Sequence, residues 1–219
     1  MIAIIPARSG SLGLPNKNFA NLNGMPLIGH TIKYAQKCKC IDEVVVITDD
    51  CHIWKYAQTL GVIHIQEPEE LATDSSSSEG ALIYAINELG YEGDVCFMQC
   101  TSPIRLKGDV DKAYVKYASY DSLFSANEMD GFSWMDMSTG LLPLYDYSNR
   151  PRRQDIKGVR LIENGSFYMF YSSNLKQSVI RLHGRIGYSI QNKLCGLQID
   201  SQEDLDNAAI IMKGLECTT

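Results

Sequence analysis

A basic, glycine-rich loop near the start of the chain carries the residue types best suited to chemistry. The apolar run over residues 1–5 is too short for a helix and predicts a buried strand, which Pro6 ends. Two basic side chains, two serines and two glycines follow, namely Arg8, Ser9, Gly10, Ser11, Gly13 and Lys17. Glycines let backbone N–H groups approach oxygen atoms closely, and concave runs of N–H groups bind anions. The loop therefore predicts a phosphate site with Arg8 and Lys17 supplying charge. The alternative is a plain turn with two solvated bases.

A run of serines before a helical pattern is a second candidate. Residues 75–78 are all serine, and apolar residues at helical spacing begin at Leu82. Serine is a favoured N-cap residue, so capping alone would explain the run. A hydroxyl at this helix start would alternatively contact a nucleotide, and Ser77 and Ser78 are then the candidates.

Polar residues also follow two of the predicted strands. Gln99, Thr101 and Ser102 lie in the exit of the strand predicted for residues 94–98, and Asp49 ends the strand predicted for residues 43–48. Taken alone, such an exit is more typical of a polar turn. In parallel sheets, however, ligands bind beyond the carboxyl ends of the strands. The convergence of these exits with the first loop predicts a site at that edge.

An aspartate near the end of the chain is a candidate metal ligand. Asp200 follows Leu197-Gln198-Ile199 and precedes a helical pattern that begins at Leu205. Asp200 or Ser201 would then simply cap that helix. If Asp200 instead faces a phosphate pocket, its carboxylate suits Mg²⁺, which prefers carboxylate, water and phosphate oxygens.

Strands and helices alternate along the chain. Short apolar runs predict strands over residues 1–5, 43–48, 62–66, 94–98 and 123–127, and helical patterns cover residues 26–38, 52–60 and 109–117, with others after residue 78 and near the C-terminus. This alternation predicts an α/β fold with a mostly parallel sheet and helices on both faces.

A longer insertion interrupts the alternation. Residues 128–163 are predicted to be irregular, within a single domain over residues 1–219, and they contain a basic cluster of Arg150, Arg152 and Arg153. That cluster predicts either a solvated turn or a clamp on a carboxylate or phosphate. Asn164-Gly165 is predicted to be a turn before a strand over residues 166–171. The insertion is expected to cover the substrate or to form a dimer contact.

Composition excludes several classes of partner. The formal net charge of −6 argues against a nucleic-acid or anionic membrane surface, and no apolar stretch approaches the length of a membrane span. The N-terminal run reads as a strand and not as a signal peptide, so the protein is expected in the cytoplasm. The seven cysteines are then expected to be reduced thiols.

The first loop is neither a G-x-G-x-x-G fingerprint nor a Walker A loop. Its form, I-P-A-R-x-G-S-x-G-x-P-x-K-N, resembles the opening of the acylneuraminate cytidylyltransferases, the CMP-sialic acid synthetases. Three further segments match that family in order: E-L-A-T-D at residues 70–74, Q-C-T-S-P-I-R at residues 99–105, and Asn164-Gly165 with Ile199-Asp200.

The resemblance implies a Rossmann-like fold, a homodimer, and Mg²⁺-dependent transfer of CMP from CTP to a nonulosonic acid with release of pyrophosphate. The nucleotide would be held by Ala7, Arg8, Gly10, Ser11, Gly13, Lys17, Asn18, Ser77, Ser78 and Gln99. The sugar acid would be held by Gln99, Thr101, Ser102, Arg105, Asn164 and Gly165. Arg8 and Lys17 would be catalytic, and Asp200 would bind the metal.

The chain departs from that family at five positions: Leu12 replaces a lysine, Glu67 an arginine, Cys100 a proline, Ile162 an arginine and Gln198 an aspartate. These departures leave two alternatives open. One is a related transferase that uses another nucleotide or another acidic acceptor. The other is a homologue that binds nucleotide without catalysis.

Overall fold

The computed structural model describes residues 1–10, 13–73, 75–156 and 158–216. Its strands in chain order are β1 Ile2–Pro6, β2 Asn21–Leu22, β3 Met25–Pro26, β4 Glu43–Thr48, β5 Ile63–Gln66, β6 Asp94–Met98, β7 Ser122–Glu128, β8 Trp134–Met137, β9 Gly140–Pro143, β10 Leu161–Tyr171 and β11 Ile186–Ile190. Its α-helices are α1 Leu27–Ala35, α2 Cys51–Thr59, α3 Ser78–Glu88, α4 Asp109–Tyr117, α5 Ser172–Ser178 and α6 Gln202–Glu216.

A seven-stranded sheet in the order β11-β7-β10-β6-β1-β4-β5 forms the centre of the molecule. Strand β10 runs antiparallel to both of its neighbours, whereas the other pairs, including β1 with β4 and β6, are parallel. The prediction of an α/β fold with a mostly parallel sheet is therefore confirmed. The carboxyl ends of β1, β4, β5 and β6 meet at one edge, as a site there requires.

Alternate residues of β1 build two apolar layers, one on each face of the sheet. Ala3 and Ile5 pack with α1, α2 and α4, whereas Ile2 and Ile4 pack with α3 and α5. A strand buried on both faces cannot alternate apolar and polar residues, which explains the continuous apolar run at the N-terminus.

The final helix closes a third, smaller apolar cluster. Leu205 and Ala208 of α6 pack on Leu22 and Leu27, and Ile199 joins them from the segment before the helix. This packing brings residues 199–201, near the end of the chain, against the segment that follows the first loop. The packing of α6 therefore brings Asp200 close in space to the first loop, although the two are far apart in sequence.

The Asn164-Gly165 pair is not a turn before a strand, and that prediction is wrong. Strand β10 begins at Leu161 and continues through the pair, with a shift in its register against β7 between Glu163 and Tyr168. Gly165 has φ +68°, in the left-handed region that favours glycine. Asn-Gly therefore marks a β-bulge, which bends the strand beside the carboxyl end of β6.

The insertion is more regular than the sequence predicted. Strands β8 and β9 pair antiparallel as a hairpin, and a short 3₁₀ turn covers Arg153–Asp155. The basic cluster makes local contacts: the Arg150 guanidinium lies 3.9 Å from the centre of the Phe132 ring, and Arg152 pairs with Asp155 at 2.6 Å. Among the described residues, no helix is long and apolar enough to cross a membrane.

Candidate functional site

A cavity of about 290 Å³ opens at the carboxyl edge of β1 and β6. Eight residues that the sequence predicted for the site line it: Arg8, Gly10, Lys17, Asn18, Ser77, Ser78, Gln99 and Thr101. Leu71, Ala81 and Phe97 add an apolar wall; Leu71 lies in the segment 70–74 that matched the family, whereas sequence reasoning had not singled out Ala81 or Phe97. We call this space the loop cavity. Basic groups from the first loop and apolar walls from α3 and β6 thus share one cleft.

The first loop is fastened to the neighbouring strands by its polar groups. Ser9 donates from its backbone nitrogen and its hydroxyl to the two carboxylate oxygens of Asp49, at 2.6 and 2.5 Å. Asn18 Nδ2 donates to the Arg8 carbonyl oxygen at 3.0 Å, and Arg8 Nη1 donates to the Thr73 carbonyl oxygen. Through its two bonds with Ser9, Asp49 therefore holds the first loop against β4.

Three positions named in the sequence analysis, Ser11, Leu12 and Asp74, lie outside the described residues.

Lys17 and Asp200 meet although 183 positions separate them in sequence. Lys17 Nζ lies 2.8 Å from Asp200 Oδ1. The lysine side chain is only 12% exposed, whereas that of Asp200 is 73% exposed. A Cβ atom at Gly13 would collide with the Asp200 carbonyl oxygen, so only glycine allows this close approach. The two residues predicted to handle phosphate and metal are therefore in direct contact.

Asp200 also lines a second cavity of about 550 Å³, between β7, β10 and the segment before α6. We call this the insertion cavity. Its wall includes Asn164 and Gln198, together with the charged residues Glu128, Asp130, Glu163 and Lys193. Lys193 pairs with Asp130, which also lies 3.4 Å from Arg153. The Lys17–Asp200 contact lies where the loop cavity adjoins the insertion cavity.

Arg105 and Ser102 do not line either cavity but build the wall behind Gln99. The Arg105 guanidinium donates to the Gln99 carbonyl oxygen at 2.7 Å and to that of Ser166 at 2.8 Å, and its Nη1 donates to Thr31 Oγ1 at 3.0 Å. Removal from water lowers the pKa of Arg105. Ser102 is fully buried and donates to the Asn164 carbonyl oxygen at 3.0 Å. Both residues position the strand ends.

Asn164 is buried in a hydrogen-bond network that fixes the bulge. Its Oδ1 accepts from Ser125 Oγ at 2.6 Å and from the Ser166 backbone nitrogen at 3.1 Å, and its Nδ2 donates to Asn127 Oδ1 at 3.0 Å. Ala7, likewise predicted for the site, lies in the core, where its carbonyl oxygen accepts from Thr48 Oγ1 at 2.5 Å. The shape of the site thus depends on buried polar partners.

The bulge offers a direct test of how closely Gly165 packs against Gln99 and Gln198. A Cβ atom on Gly165 would collide with Gln99 Oε1 and lie 2.9 Å from Gln198 Nε2. We expect Gly165→Ala to lower the free energy of unfolding by about 1–2 kcal/mol, mostly from the φ penalty, because the ends of the Gln99 and Gln198 side chains can move away at a small cost. Chemical denaturation measures this loss.

Gly61→Ala is the matched control for that substitution. Gly61 has φ +66°, with no atom within 4 Å of the added Cβ. It should therefore show the backbone penalty alone, of about 1 kcal/mol. Equal losses in the two variants would mean that Gly165 has no close packing role.

Glu67 is a site residue whose role the sequence did not reveal, although it stood out as a departure from the family pattern. The residue is 4% exposed and lines the loop cavity. Burial, with a smaller contribution from Asp49, raises the pKa of its carboxyl to about 7, and Arg8 opposes the shift. Cys100, another departure, also lines the cavity, and burial raises the pKa of its thiol to about 12.

A mostly parallel sheet, whose first strand leads into a basic glycine loop over a cleft, is the architecture of nucleotide-binding α/β proteins. The chain belongs to the cytidylyltransferase family, whose sequence model matches residues 2–130. The family resemblance drawn from the first loop and from residues 99–105 is thereby confirmed.

Curated relatives and a solved structure agree with this assignment. The chain is 38% identical over 186 residues to an N-acylneuraminate cytidylyltransferase of Oncorhynchus mykiss. The matched region is 81% of this chain but only 42% of that enzyme, so the chain spans less than half of that relative's length. It is 28% identical to a pseudaminic acid cytidylyltransferase of Campylobacter jejuni, over 97% of this chain and 96% of that enzyme. The fold matches a CMP:2-keto-3-deoxy-manno-octonic acid synthetase solved with CTP, with a TM-score of 0.73, 18% identity, and 97% and 98% of the two chains covered.

Proposed function

We propose that the protein transfers CMP from CTP to a nonulosonic, sialic-acid-like sugar acid and releases pyrophosphate. The observation that carries this proposal is the Lys17–Asp200 contact, which lies where the two cavities adjoin. CTP would occupy the loop cavity, and the sugar acid would reach the α-phosphate at the Lys17–Asp200 contact. The relatives named N-acylneuraminate and pseudaminic acid cytidylyltransferase support this class of acceptor.

The reaction would be an in-line displacement at the α-phosphate. A hydroxyl oxygen of the sugar acid forms a bond to the α-phosphorus, the bond to the β-phosphate oxygen breaks, and the hydroxyl proton is released. Such chemistry depends on alignment and on stabilisation of developing charge more than on covalent help from the protein. Lys17 and Arg8 would hold phosphate oxygens, while Gln99, through its contact with the loop cavity, would position the ribose or sugar.

Asp200 would hold Mg²⁺ at the junction of the cavities. Its carboxylate is 73% exposed and supplies oxygen ligands, which suit Mg²⁺ when phosphate and water complete the coordination. Bound there, Mg²⁺ would neutralise and polarise phosphate oxygens. Lys17, which pairs with Asp200 Oδ1, would exchange this partner for a phosphate oxygen when CTP and Mg²⁺ bind.

An assay of pyrophosphate release tests the proposal. Each of the four nucleoside triphosphates is paired with a panel of nonulosonic acids, with and without Mg²⁺. We expect turnover with CTP and at least one of the acids, and only when Mg²⁺ is present. Absence of turnover with every pair would refute the catalytic proposal. A thermal shift with CTP and Mg²⁺ in that case would favour the nucleotide-binding homologue instead.

We also propose that the protein is a homodimer through the hairpin of β8 and β9. Five apolar side chains on this hairpin are exposed by 45% to 66%: Trp134, Met135, Met137, Leu141 and Leu142. By strand alternation, Met135, Met137 and Leu142 lie on one face of the hairpin, and Trp134 and Leu141 lie on the other. Exposed apolar side chains concentrated on one element are typical of a protein interface. The segment coincides with the predicted insertion, for which a dimer contact was one of two expectations.

Sedimentation velocity measures the oligomeric state. The wild type should sediment at twice 24.5 kDa, and Leu141→Glu should shift it toward the mass of one chain. Val115→Glu is the control, because Val115 is 78% exposed on α4, away from the hairpin. A wild type that sediments as a single chain at micromolar concentration would contradict the dimer.

The cytoplasm is the proposed location. Six cysteines in the described part of the chain are free thiols, including the exposed Cys51. Free thiols persist in reducing compartments, which supports this placement.

A further inference from the structure

The Glu67 carboxyl contains a buried oxygen without a partner in the described part of the chain. Glu67 Oε2 is shielded from solvent and accepts no hydrogen bond there. Its backbone nitrogen donates to the Thr48 carbonyl oxygen at 2.9 Å, so the sheet fixes where the side chain begins. A buried carboxyl oxygen without a donor is costly, and native proteins seldom keep one without a reason. Because Glu67 lines the loop cavity, a ligand there is the natural source of a donor.

The neighbouring charged groups do not satisfy this oxygen. Both carboxylate oxygens of Asp49 accept from Ser9, and Arg8 donates to the Thr73 carbonyl oxygen. Asp49 is another anion and disfavours ionisation of Glu67, whereas Arg8 favours it. Glu67 lines the loop cavity with one charge of each sign beside its carboxyl, and the shielded Oε2 would meet a ligand there once the side chain turns toward the cavity.

The chemistry of the cavity wall indicates which part of a nucleotide would face Glu67. Phosphate groups carry only acceptor oxygens at neutral pH, so they cannot supply a hydrogen to a carboxylate. The apolar walls formed by Leu71, Ala81 and Phe97 suit the flat face of a base. A base that bears an exocyclic amino group supplies an N–H donor, which an unpartnered carboxyl oxygen requires.

We propose that Glu67 Oε2 accepts a hydrogen bond from the 4-amino group of cytosine and so selects CTP over UTP. This inference rests on the proposed function, because it places CTP in the loop cavity. Uracil has a carbonyl oxygen at the same position, which would face the carboxylate without a hydrogen between them. A site built for one hydrogen-bonding pattern rejects a ligand that leaves its polar group unpaired.

The selection should weaken at low pH. The ionised carboxylate can only accept, so it discriminates between an amino group and a carbonyl oxygen. Once protonated, the carboxyl can donate to the uracil oxygen or accept from the cytosine amino group, so it admits both bases. The pKa of Glu67, raised to about 7 by burial and by Asp49 and opposed by Arg8, places this change near neutral pH.

Isothermal titration calorimetry with CTP and UTP, each with Mg²⁺, tests the inference at about pH 6 and about pH 8. We expect the wild type to prefer CTP about 10–100-fold at the higher pH and only a few fold at the lower. The two ligands have identical phosphates, so phosphate titration cancels in the ratio of their dissociation constants. Glu67→Gln, whose amide both donates and accepts, should lose the preference and its dependence on pH. Glu69→Gln, an exposed neighbouring glutamate, is the control and should behave as the wild type.

The outcomes separate this inference from the proposed function. A wild type that binds neither nucleotide would refute both. A wild type that binds CTP with a preference that does not change with pH, or a Glu67→Gln variant that keeps the preference, would overturn the role of Glu67 alone. The wild-type pH series needs no variant, so the inference stays testable if Glu67→Gln fails to fold. Failure to fold is not expected, since Gln removes a buried group whose ionisation opposes folding above its raised pKa.

Discussion

Lys17→Met is expected to lower kcat/KM for CMP transfer by about 10²–10³-fold while leaving the fold intact. Lys17 is 12% exposed, lines the loop cavity and lies 2.8 Å from Asp200. A cation held there would stabilise the negative charge that develops as pyrophosphate leaves. Methionine keeps much of the length and the apolar stem of lysine but removes the charge.

Stability measurements separate a catalytic role of Lys17 from a merely structural one. Because the Asp200 carboxylate is 73% exposed, solvent screens the ion pair, which should contribute less than about 1 kcal/mol to folding. The melting temperature of Lys17→Met should therefore stay close to that of the wild type. Lys33→Met is the matched control, since Lys33 is exposed on α1. Activity within about threefold of the wild type would contradict a role for Lys17 in charge stabilisation.

The sequence predicted the phosphate-binding loop and the candidate metal ligand separately, but it did not predict that Lys17 and Asp200 are in contact. Arg8 and Lys17 were recognisable because bases and glycines follow a buried strand, and Asp200 because its carboxylate follows Leu197-Gln198-Ile199 at a candidate strand exit. Their contact depends on how α6 packs against Leu22 and Leu27, which is a property of the folded core. Glu67 shows the same limit, since burial of a carboxyl and the consequent rise in its pKa are not readable from neighbours in sequence.

Several strand segments were misread or missed, among them β10 and β11. Asn-Gly usually indicates a turn. Here β10 is hydrogen-bonded to β6 on one side and β7 on the other, so the strand continues through Asn164-Gly165, which form a bulge. Strand β11 was missed, although Ile186, Tyr188 and Ile190 alternate with smaller residues as in a strand. It exposes Ile186 and Ile190 and buries Gly187, where a Cβ atom would lie 2.6 Å from the Tyr120 ring. The fold class survived these errors because the β1, β4 and β6 runs determine it.

Arg105→Met is expected to lower the free energy of unfolding by about 3 kcal/mol, the largest stability loss anticipated for the site. The guanidinium donates to the carbonyl oxygens of Gln99 and Ser166 and to the Thr31 hydroxyl. Thr31 and Ser166 are buried, so methionine would leave their acceptors without donors. The carbonyl oxygen of Gln99 would lose its donor as well, and Gln99 would shift within the loop cavity.

The same variant decides between two roles for Arg105, which the family resemblance placed at the sugar acid and the structure places behind the cavity wall. If Arg105 acts by positioning Gln99, chemical denaturation of Arg105→Met should show the lower free energy of unfolding. Arg105→Lys should recover only part of that free energy, because lysine lacks the planar guanidinium with its several donors. Arg152→Met, at a 74% exposed guanidinium paired with Asp155, should change stability by less than about 1 kcal/mol. If Arg105→Met instead unfolds like the wild type, and its KM rises for the sugar acid but not for CTP, Arg105 contacts the sugar acid directly.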